Sequence, residues 1–344
     1  TYMTQAAQIS PDHPIYLDKF LEGAIEVDLD ALCDETDVYI GGVMEHIEMA
    51  GIHSGDSACV IPPYSLSEGI VNTLQDIAAK LALRLGVKGL LNIQFAIKDQ
   101  VVYVIEANPR ASRTVPFVSK ATGVPLAKAA ARIMAGENLA RLGLPAHKAD
   151  PDYYCVKEAV MPWGRFPGAR VILGPEMKST GEVMGIAPTV PAAYAKTQFA
   201  IDYAMPEGGL AFVSVNDADK RAIVSLIRDV ERMGFGIVAT QGTAKVLRAS
   251  GIDCLEVSKI HEADAADGEG ERPSALDLIR DGKISLIINT PFGTATRSDG
   301  YEIRSAAVRH GICHTTTLAG AQAMIAGMEA ARQGTVGVIA LQDL

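Results

Sequence analysis

The chain has 344 residues, 48% of them hydrophobic, with a formal net charge of −10 and no run of lysines or arginines. This length allows two or three domains with sizeable cores. The acidic balance excludes a general affinity for nucleic acid or for an anionic membrane surface. No apolar run is long enough to span a bilayer, and no signal peptide is recognisable.

Five scattered cysteines without CxxC spacing predict neither a disulfide framework nor a zinc site, and they favour a cytoplasmic location. The sequence opens at Thr1 without an initiator methionine, inside a region that already has the pattern of a folded domain. We therefore interpret the chain as a fragment of a longer protein.

The first predicted element is a strand over residues 23–33, where apolar and acidic residues alternate. Glu26, Asp28 and Asp30 share one face of it, because strand side chains alternate between faces. A solvated acidic face is the simplest interpretation, and we favour it for Asp28 and Asp30.

A second strand is predicted over residues 38–44, and a loop over residues 45–57 follows it. The glycines and short polar side chains of this loop suit close approach of the backbone to a ligand. A short strand over residues 58–61 then ends at two prolines. Ser67 is expected to cap a helix that runs to Leu85 with an apolar stripe on one side.

The most informative segment is a predicted hairpin with strands over residues 91–97 and 101–107 and a polar turn between them. If Lys98 lies opposite Val102, Gln94 lies opposite Glu106. Glu106 and Asn108 point to the same face, because they are two residues apart in one strand.

These side chains make an oxygen-only set of ligands, one carboxylate and two amides, which suits Mg²⁺ or Mn²⁺ better than Zn²⁺. Arg110 and Arg113 follow the strand, and their guanidinium groups can bind phosphate or carboxylate oxygens in pairs. The alternative interpretation is an ordinary surface hairpin with no ligand.

A helix over residues 125–134, closed by Gly136, comes next. Residues 137–204 are rich in proline and glycine, and we interpret them as irregular structure that connects two domains. From Gly209 the pattern becomes regular β/α alternation. Strands are predicted over 210–215, 236–240, 254–257, 285–289 and 336–341, with a short one near Cys313, and helices over 218–233, 243–250, 274–281, 300–310 and 318–332.

Short apolar strands between amphipathic helices predict a parallel sheet covered on both faces, with ligands at the carboxyl ends of its strands. Thr240 and Thr243 flank such an end at a helix N-terminus, which favours a phosphate, although a simple capped turn is the alternative. Asn289 and Thr290 end another strand. Lys220 and Lys259 are available to neutralise a bound anion.

The string of residues 92–95, the run Glu106-Ala107-Asn108-Pro109-Arg110 and residues 113–127 together resemble the metal-binding hairpin of ATP-grasp ligases. In detail they resemble the carbamoyl phosphate synthetase family, and the resemblance extends from about Ile15 to the end of the chain. It implies an α/β protein: the C-terminal part of an ATP-grasp α+β domain, followed by a methylglyoxal-synthase-like parallel β/α (Rossmann-like) domain. The implied divisions are residues 1–136, a connecting segment over 137–204, and an allosteric domain over 205–344.

The resemblance also implies roles for individual residues. It places Lys19 and Leu21 at the adenine of ATP, Glu26 at the ribose, and Gly51, Ile52, His53 and Ser54 beside the nucleotide. The implied metal ligands are Gln94, Glu106 and Asn108. Gln94 and Glu106 also belong to the implied ATP site. Arg110 and Arg113 are implied to hold carbamate and the transferring phosphate. An ornithine-type activator site is implied at Glu48, Asp56 and Glu158. A uridine or inosine monophosphate site is implied at Lys220, Thr240, Thr243, Lys259, Asn289, Thr290 and Asp299.

The function implied by the resemblance is ATP-dependent phosphorylation of carbamate, made from bicarbonate, to carbamoyl phosphate for pyrimidine and arginine biosynthesis. The implied partners are a glutaminase small subunit and the N-terminal remainder of the large subunit, without which we expect the fragment to be inactive. Two alternatives stay open: a regulatory or binding module without catalysis, and a different ATP-grasp carboxylate ligase. The β/α domain after residue 205 argues against the second alternative.

Overall fold

A computed structural model describes residues 21–144, 152–165, 171–201, 205–258, 274–290, 296–334 and 337–343, together with positions 8, 14, 15 and 19. Within these ranges, none of the helices is both long and apolar enough to cross a bilayer. Lys259 and Pro291 lie outside the described residues.

The first part of the chain forms a seven-stranded sheet in which every neighbouring pair is antiparallel. Its spatial order is β5-β4-β1-β2-β3-β6-β7. The strands are β1 (Ile25–Asp34), β2 (Val38–Met49), β3 (Cys59–Ile61), β4 (Lys88–Lys98), β5 (Val101–Asn108), β6 (Tyr154–Val160) and β7 (Gly181–Ala187).

Helices cover both faces of this sheet. Helix α1 (Glu68–Arg84) packs its buried residues, Leu74, Ala78 and Ala82, on one face, and Ser67 caps it as predicted by accepting a hydrogen bond from the Ile70 amide. The opposite face carries α2 (Val115–Thr122) and α3 (Leu126–Met134), followed by the short α4 (Leu139–Leu142). The stripe predicted for α1 is therefore core packing, since its apolar residues face the sheet.

The hairpin of β4 and β5 confirms the pairing of Gln94 with Glu106, but the pairing predicted at its closed end is wrong. Lys98 lies opposite Val101, because Asp99 and Gln100 both take positive φ (51° and 63°) and close a two-residue turn. The register then shifts by one residue between Gln94 and Phe95. This β-bulge returns Glu106 to the position opposite Gln94.

Two further predictions for the first part of the chain are wrong. The loop predicted over residues 45–57 begins only at Ala50, because residues 45–49 continue β2, where they pair with β1 and β3. The segment 137–204, predicted as irregular, contributes β6, β7 and helix α5 (Val190–Ala200) to the folded unit. Its prolines and glycines lie mostly between these elements. The division at residues 136 and 204 stays a prediction.

The second part of the chain is the parallel sheet predicted from the β/α pattern, with spatial order β10-β9-β8-β11-β12. Its strands are β8 (Gly209–Val215), β9 (Phe235–Thr240), β10 (Leu255–Val257), β11 (Ile284–Thr290) and β12 (Cys313–Thr315). Its helices are α6 (Ile223–Arg232), α7 (Gln241–Ala249), α8 (Ala275–Arg280), α9 (Thr296–Arg309) and α10 (Leu318–Gln333).

The strand predicted at the end of the chain is wrong in its described part, where residues 337–340 are irregular and Leu341–Asp343 form a 3₁₀ turn. Val338, the apolar residue that suggested a strand here, is 97% exposed. A short apolar run alone does not distinguish a strand from an irregular end.

A shared hydrophobic core joins the two sheets. Helix α10 packs against α5, and Tyr194 of α5 belongs to the same buried cluster as Val213 of β8 and Met324 of α10. That cluster also includes Val60 of β3. The two parts therefore bury apolar surface against each other.

Candidate functional site

Two cavities in the described part of the chain are lined by predicted site residues. The larger cavity has a volume of about 800 Å³ and opens beside the hairpin of β4 and β5. A volume of this size suits a nucleotide-sized ligand. The residues predicted for ATP, metal and carbamate all line it: Lys19, Leu21, Glu26, Gly51, Ile52, His53, Ser54, Gln94, Glu106, Asn108, Arg110 and Arg113. The structure thus brings the whole predicted set together, while the role of each residue stays a prediction.

The three predicted metal ligands come together through the pairing of β4 with β5. Asn108 Nδ2 donates to Glu106 Oε1 at 2.8 Å, and Gln94 Nε2 donates to Ser54 Oγ at 3.2 Å. An amide whose NH₂ group is engaged in this way presents its carbonyl oxygen to a ligand. The side chains therefore offer one carboxylate and two amide oxygens.

This donor set fits a hard divalent cation. Mg²⁺ typically takes one or two protein carboxylates and completes its octahedron with waters and substrate phosphates. Within the described ranges, no three histidines, cysteines, aspartates or glutamates lie close enough to hold a metal, so a site of the zinc type is not present there. The hairpin is thus suited to a metal–nucleotide complex, with phosphates supplying further ligands.

The loop after β2 is held against the cavity by backbone contacts. Gly51 has a φ of +107°, a conformation that side chains disfavour, and its N–H donates to Glu26 Oε2 at 3.2 Å. The His53 amide donates to the carbonyl oxygen of Gly174 at 2.8 Å. Lys157 Nζ, on β6, donates to the carbonyl oxygen of Ser54 at 2.9 Å. Sequence reasoning missed Lys157, because its strand was predicted to be irregular.

The acidic face of β1 is buried, so the prediction of a solvated face for Asp28 and Asp30 is wrong. Both carboxylates are almost inaccessible to water, at 1% and 0% exposure. Asp28 Oδ2 lies 2.9 Å from His46 Nε2. The alternation of acidic and apolar residues suggested a wet face, but the side chains of the neighbouring strands and of the segment after β5 cover it.

The imidazole of His46 is enclosed beneath the cavity. Burial by itself lowers the pKa of His46, but neighbouring Cys59 and the hydrogen bond to Asp28 raise it well above its ordinary value. His46 Nδ1 lies 3.8 Å from Glu26 Oε1. Burial raises the pKa of Glu26, an effect that the nearby imidazolium opposes. A protonated His46 would offset part of the negative charge of the two carboxylates that it faces, Glu26 and Asp28.

Asp30 connects β1 to the segment that carries the predicted arginines. Its Oδ1 accepts from Ser112 Oγ at 2.7 Å and from Asn92 Nδ2 at 3.1 Å, and its Oδ2 accepts from Thr114 Oγ1 at 2.6 Å. Burial raises the pKa of Asp30 to about 6, against the effect of the two hydroxyl donors. Sequence reasoning missed this link, because Ser112 and Thr114 are more than eighty residues from Asp30.

The second cavity, of about 300 Å³, lies between the two parts of the chain. The predicted activator residues Glu48, Asp56 and Glu158 line it together with Thr316 and Thr317 of the second part. Burial, reinforced by the neighbouring Glu48, raises the pKa of Glu158 to about 8. Three acidic side chains that line one partly open cavity favour a cationic ligand. Sequence reasoning missed the contribution of the two threonines.

The predicted nucleotide monophosphate residues lie at the carboxyl ends of β9 and β11. Thr243 Oγ1 accepts from the Val215 amide at 3.3 Å, and Asn289 Nδ2 donates to the carbonyl oxygen of Ser214 at 3.2 Å. Thr290 Oγ1 accepts from the Asn216 amide at 3.2 Å, so the end of β8 completes a cluster that sequence reasoning did not include.

Two more members of this predicted set are close to the same helix N-terminus. Thr240 Oγ1 donates to Ser214 Oγ at 3.2 Å. A Cβ atom added at Gly242 would lie 2.9 Å from Lys220 Nζ, which places that ammonium group beside the first turn of α7. Lys259 lies outside the described residues. Asp299 is placed only as part of the backbone of α9.

Two family models match separate parts of the chain. Residues 1–142 match the family model of the carbamoyl-phosphate synthase L chain ATP binding domain, and residues 222–316 match the MGS-like domain. Among solved structures, the biotin carboxylase domain of a single-chain bacterial carboxylase aligns with 56% of this chain and 51% of its own, at 20% identity and a TM-score of 0.44. A TM-score of this size is too low to support a shared fold on its own.

Curated relatives align along the whole sequence. The carbamoyl phosphate synthase large chain of Mycobacterium sp. (strain JLS) is 52% identical over 358 residues, which cover 100% of this chain and 32% of that protein. The large chain of Methanothermobacter thermautotrophicus is 52% identical over 345 residues, covering 99% of this chain and 32% of its own length. The resemblance seen in the sequence is therefore confirmed: the chain matches the family models of the carbamoyl-phosphate synthase L chain ATP binding domain and of an MGS-like domain, and over its whole length it is similar to about a third of the carbamoyl phosphate synthase large chain.

Proposed function

We propose that the larger cavity is where ATP phosphorylates carbamate, giving carbamoyl phosphate and ADP. The observation that carries the proposal is the convergence of an oxygen-ligand hairpin, two arginines and the loop 50–57 on one cavity of nucleotide size. A carbamate oxygen forms the new bond to the γ-phosphorus, and the bond between that phosphorus and the bridging oxygen of ADP breaks. The electron pair of the broken bond stays on ADP.

Such a transfer needs positioning and charge stabilisation more than covalent help from the protein. Arg110 and Arg113 are assigned to the acceptor carbamate and the transferring phosphate, since guanidinium groups bind both in a planar, paired manner. Glu26 is assigned to the ribose hydroxyls. Gln94, Glu106 and Asn108 would hold Mg²⁺ or Mn²⁺, which supplies neutralisation of phosphate charge when bound.

The wider function is inferred from the relatives. This chain spans about a third of their length. We assign to the complete protein the glutamine-hydrolysing synthesis of carbamoyl phosphate, with a glutaminase small subunit as partner. The acidic second cavity is assigned to a cationic, ornithine-type activator, and the carboxyl ends of β9 and β11 to a nucleotide monophosphate. Both assignments are supported by where the structure places the predicted residues.

The reverse reaction provides the sharpest test, because carbamoyl phosphate can be supplied as a reagent and decomposes much more slowly than carbamate. A full-length large chain that contains these residues is expected to form ATP from ADP and carbamoyl phosphate. Glu106→Gln is expected to abolish this activity, and Mn²⁺ binding in the presence of ADP, followed by electron paramagnetic resonance, is expected to weaken in parallel. Unchanged Mn²⁺ binding and unchanged ATP formation in Glu106→Gln would refute the proposed site.

A further inference from the structure

We propose that Asp30 is a positioning residue that holds the backbone on both sides of Arg113, and so sets where that guanidinium meets the acceptor. The inference rests on the proposed function of the larger cavity. The two hydroxyls that Asp30 accepts belong to Ser112 and Thr114, the residues immediately before and after Arg113. No other role has been given to Asp30 above.

The geometry of this contact is that of a clamp. Each carboxylate oxygen takes one hydroxyl, at 2.7 Å and 2.6 Å, and the two hydroxyl groups lie 2.8 Å from each other. Short hydrogen bonds to a charged acceptor are about twice as strong as neutral ones. Because the bonds flank a single residue, they restrict the backbone dihedrals of Arg113 more than one bond would.

Helix α2 shows that this clamp takes precedence over ordinary helix capping. Thr114 is its N-cap residue, and threonine at that position normally accepts a hydrogen bond from the backbone two or three residues later. Here the Thr114 side chain caps nothing and donates to Asp30, and its backbone has helical dihedrals (φ −79°, ψ −17°). The N-cap residue of α2 is thus hydrogen-bonded to Asp30 on β1.

The base of the clamp is itself rigid. Asp30 lies on β1, an interior strand between β2 and β4, and Asn92 of β4 donates to the same carboxylate. Arg113, by contrast, is exposed at the cavity wall. The position of a long, exposed side chain depends on the backbone that carries it. The position of the Arg113 guanidinium therefore depends on the buried Asp30.

The test uses full-length large chains and the formation of ATP from ADP and carbamoyl phosphate. Asp30→Asn is expected to raise the KM for carbamoyl phosphate about tenfold or to lower kcat by a similar factor, with the KM for ADP within about twofold of the parent. The pair Ser112→Ala with Thr114→Val is expected to reproduce this pattern. Combining all three changes is expected to add little, because they remove one interaction.

The matched control is Ser285→Ala, which removes a hydroxyl bonded to the Gly208 carbonyl oxygen at 2.7 Å in the second part of the chain. Its kinetic constants are expected to equal those of the parent. The proposal would be overturned if the kinetic effect of the triple variant equalled the product of the effects of Asp30→Asn and of the Ser112→Ala, Thr114→Val pair. So would a folded Asp30→Asn with an unchanged response to carbamoyl phosphate.

A second measurement keeps this inference separate from the proposed function. Amide hydrogen exchange of residues 112–114 is expected to be at least about tenfold faster in Asp30→Asn than in the parent, with exchange in β1 little changed. If the parent forms no ATP, the proposed function falls, and the exchange result still decides the clamp. Equal exchange rates at residues 112–114 would overturn it.

Discussion

The ammonium group of Lys157 lies 2.9 Å from the backbone carbonyl oxygen of Ser54, although the lysine is on β6 and the serine is on the loop beside the larger cavity. Lys157 is 1% exposed. Burial by itself lowers the pKa of Lys157, but Cys59 and the carboxylates of Glu182, Glu158 and Glu48 raise it. Lys157 therefore stays charged and connects the acidic second cavity to the loop of the first.

The first prediction concerns this connection. Lys157→Met keeps the side-chain length but removes the charge and the donor, so the Ser54 carbonyl oxygen loses its partner. Losing a hydrogen bond of a charged group costs about 1.5–3 kcal/mol, which corresponds to roughly a tenfold or larger increase in the KM for ADP if the loop binds the nucleotide. Steady-state kinetics of ATP formation measure this effect.

Lys196→Met is the matched control, because Lys196 Nζ makes the same kind of bond to the Ile186 carbonyl oxygen at 2.6 Å, away from the cavity. We expect it to lose comparable stability in thermal unfolding without changing the KM for ADP. Equal kinetic effects in the two variants would mean that Lys157 only stabilises the fold.

The second prediction is a pH dependence of stability that arises from Asp30. Its pKa is about 6 in the folded chain and near the ordinary aspartate value of 3.8 in the unfolded chain. The folded state therefore binds the proton more tightly, so this carboxyl group stabilises the fold most below pH 3.8. That contribution is lost as the pH rises through about 6. At higher pH, stability no longer changes through this group.

Asp30→Asn lacks this titration. The free energy of unfolding of the parent, measured by urea denaturation, should fall relative to Asp30→Asn by on the order of 2–3 kcal/mol between about pH 4 and pH 6. The subtraction removes the titration of groups that do not interact with Asp30. A difference between parent and variant that does not vary over this range would contradict the assignment.

The third prediction concerns metal dependence. Glu106 is exposed on β5, so Glu106→Gln should leave thermal stability nearly unchanged. The loss of the one carboxylate in the donor set should lower kcat by at least about a hundredfold, since charge stabilisation is the main contribution in phosphoryl transfer. Asp99→Asn is the matched control, an exposed carboxylate at the turn of the same hairpin. A kcat unchanged at saturating Mg²⁺ would show that Glu106 is not a ligand.

Local patterns predicted much of this molecule. The parallel sheet, the caps of several helices and the pairing of Gln94 with Glu106 follow from periodicity and turn chemistry, which act over a few residues. The bulge at Ile105 was not predictable, because it depends on a one-residue difference in turn length that the pattern does not record.

Contacts between distant segments account for the rest. The burial of Asp28 and Asp30 was not predictable from β1, since their partners come from β2, from β4 and from residues 112–114. The same holds for the strands β6 and β7, whose pairing with β3 and with each other overrides a composition rich in turn residues. Local propensity is a weak guide where tertiary pairing decides.

The last prediction concerns the effector site at the carboxyl ends of β9 and β11. Lys220 lies beside the first turn of α7, and the hydroxyls of Thr243 and Thr290 are fixed by backbone amides of residues 215 and 216. A helix N-terminus and a nearby ammonium group favour a phosphate. We therefore expect residues 1–344 to bind uridine or inosine monophosphate, measured by calorimetric titration.

Pro291 follows Thr290 in the sequence and lies outside the described residues. Proline offers neither a hydroxyl nor a backbone N–H to the ligand. One neutral hydrogen bond is worth about 1 kcal/mol, so Pro291→Thr should tighten binding about fivefold.

Lys220→Ala should weaken binding of the nucleotide monophosphate by about tenfold or more, because it removes a charged contact to the phosphate. Lys283→Ala, the loss of an exposed lysine paired with Asp281 in the turn before β11, should change nothing. No heat of binding in any variant would refute the site, and a Pro291→Thr variant no tighter than the parent would refute the role of that position.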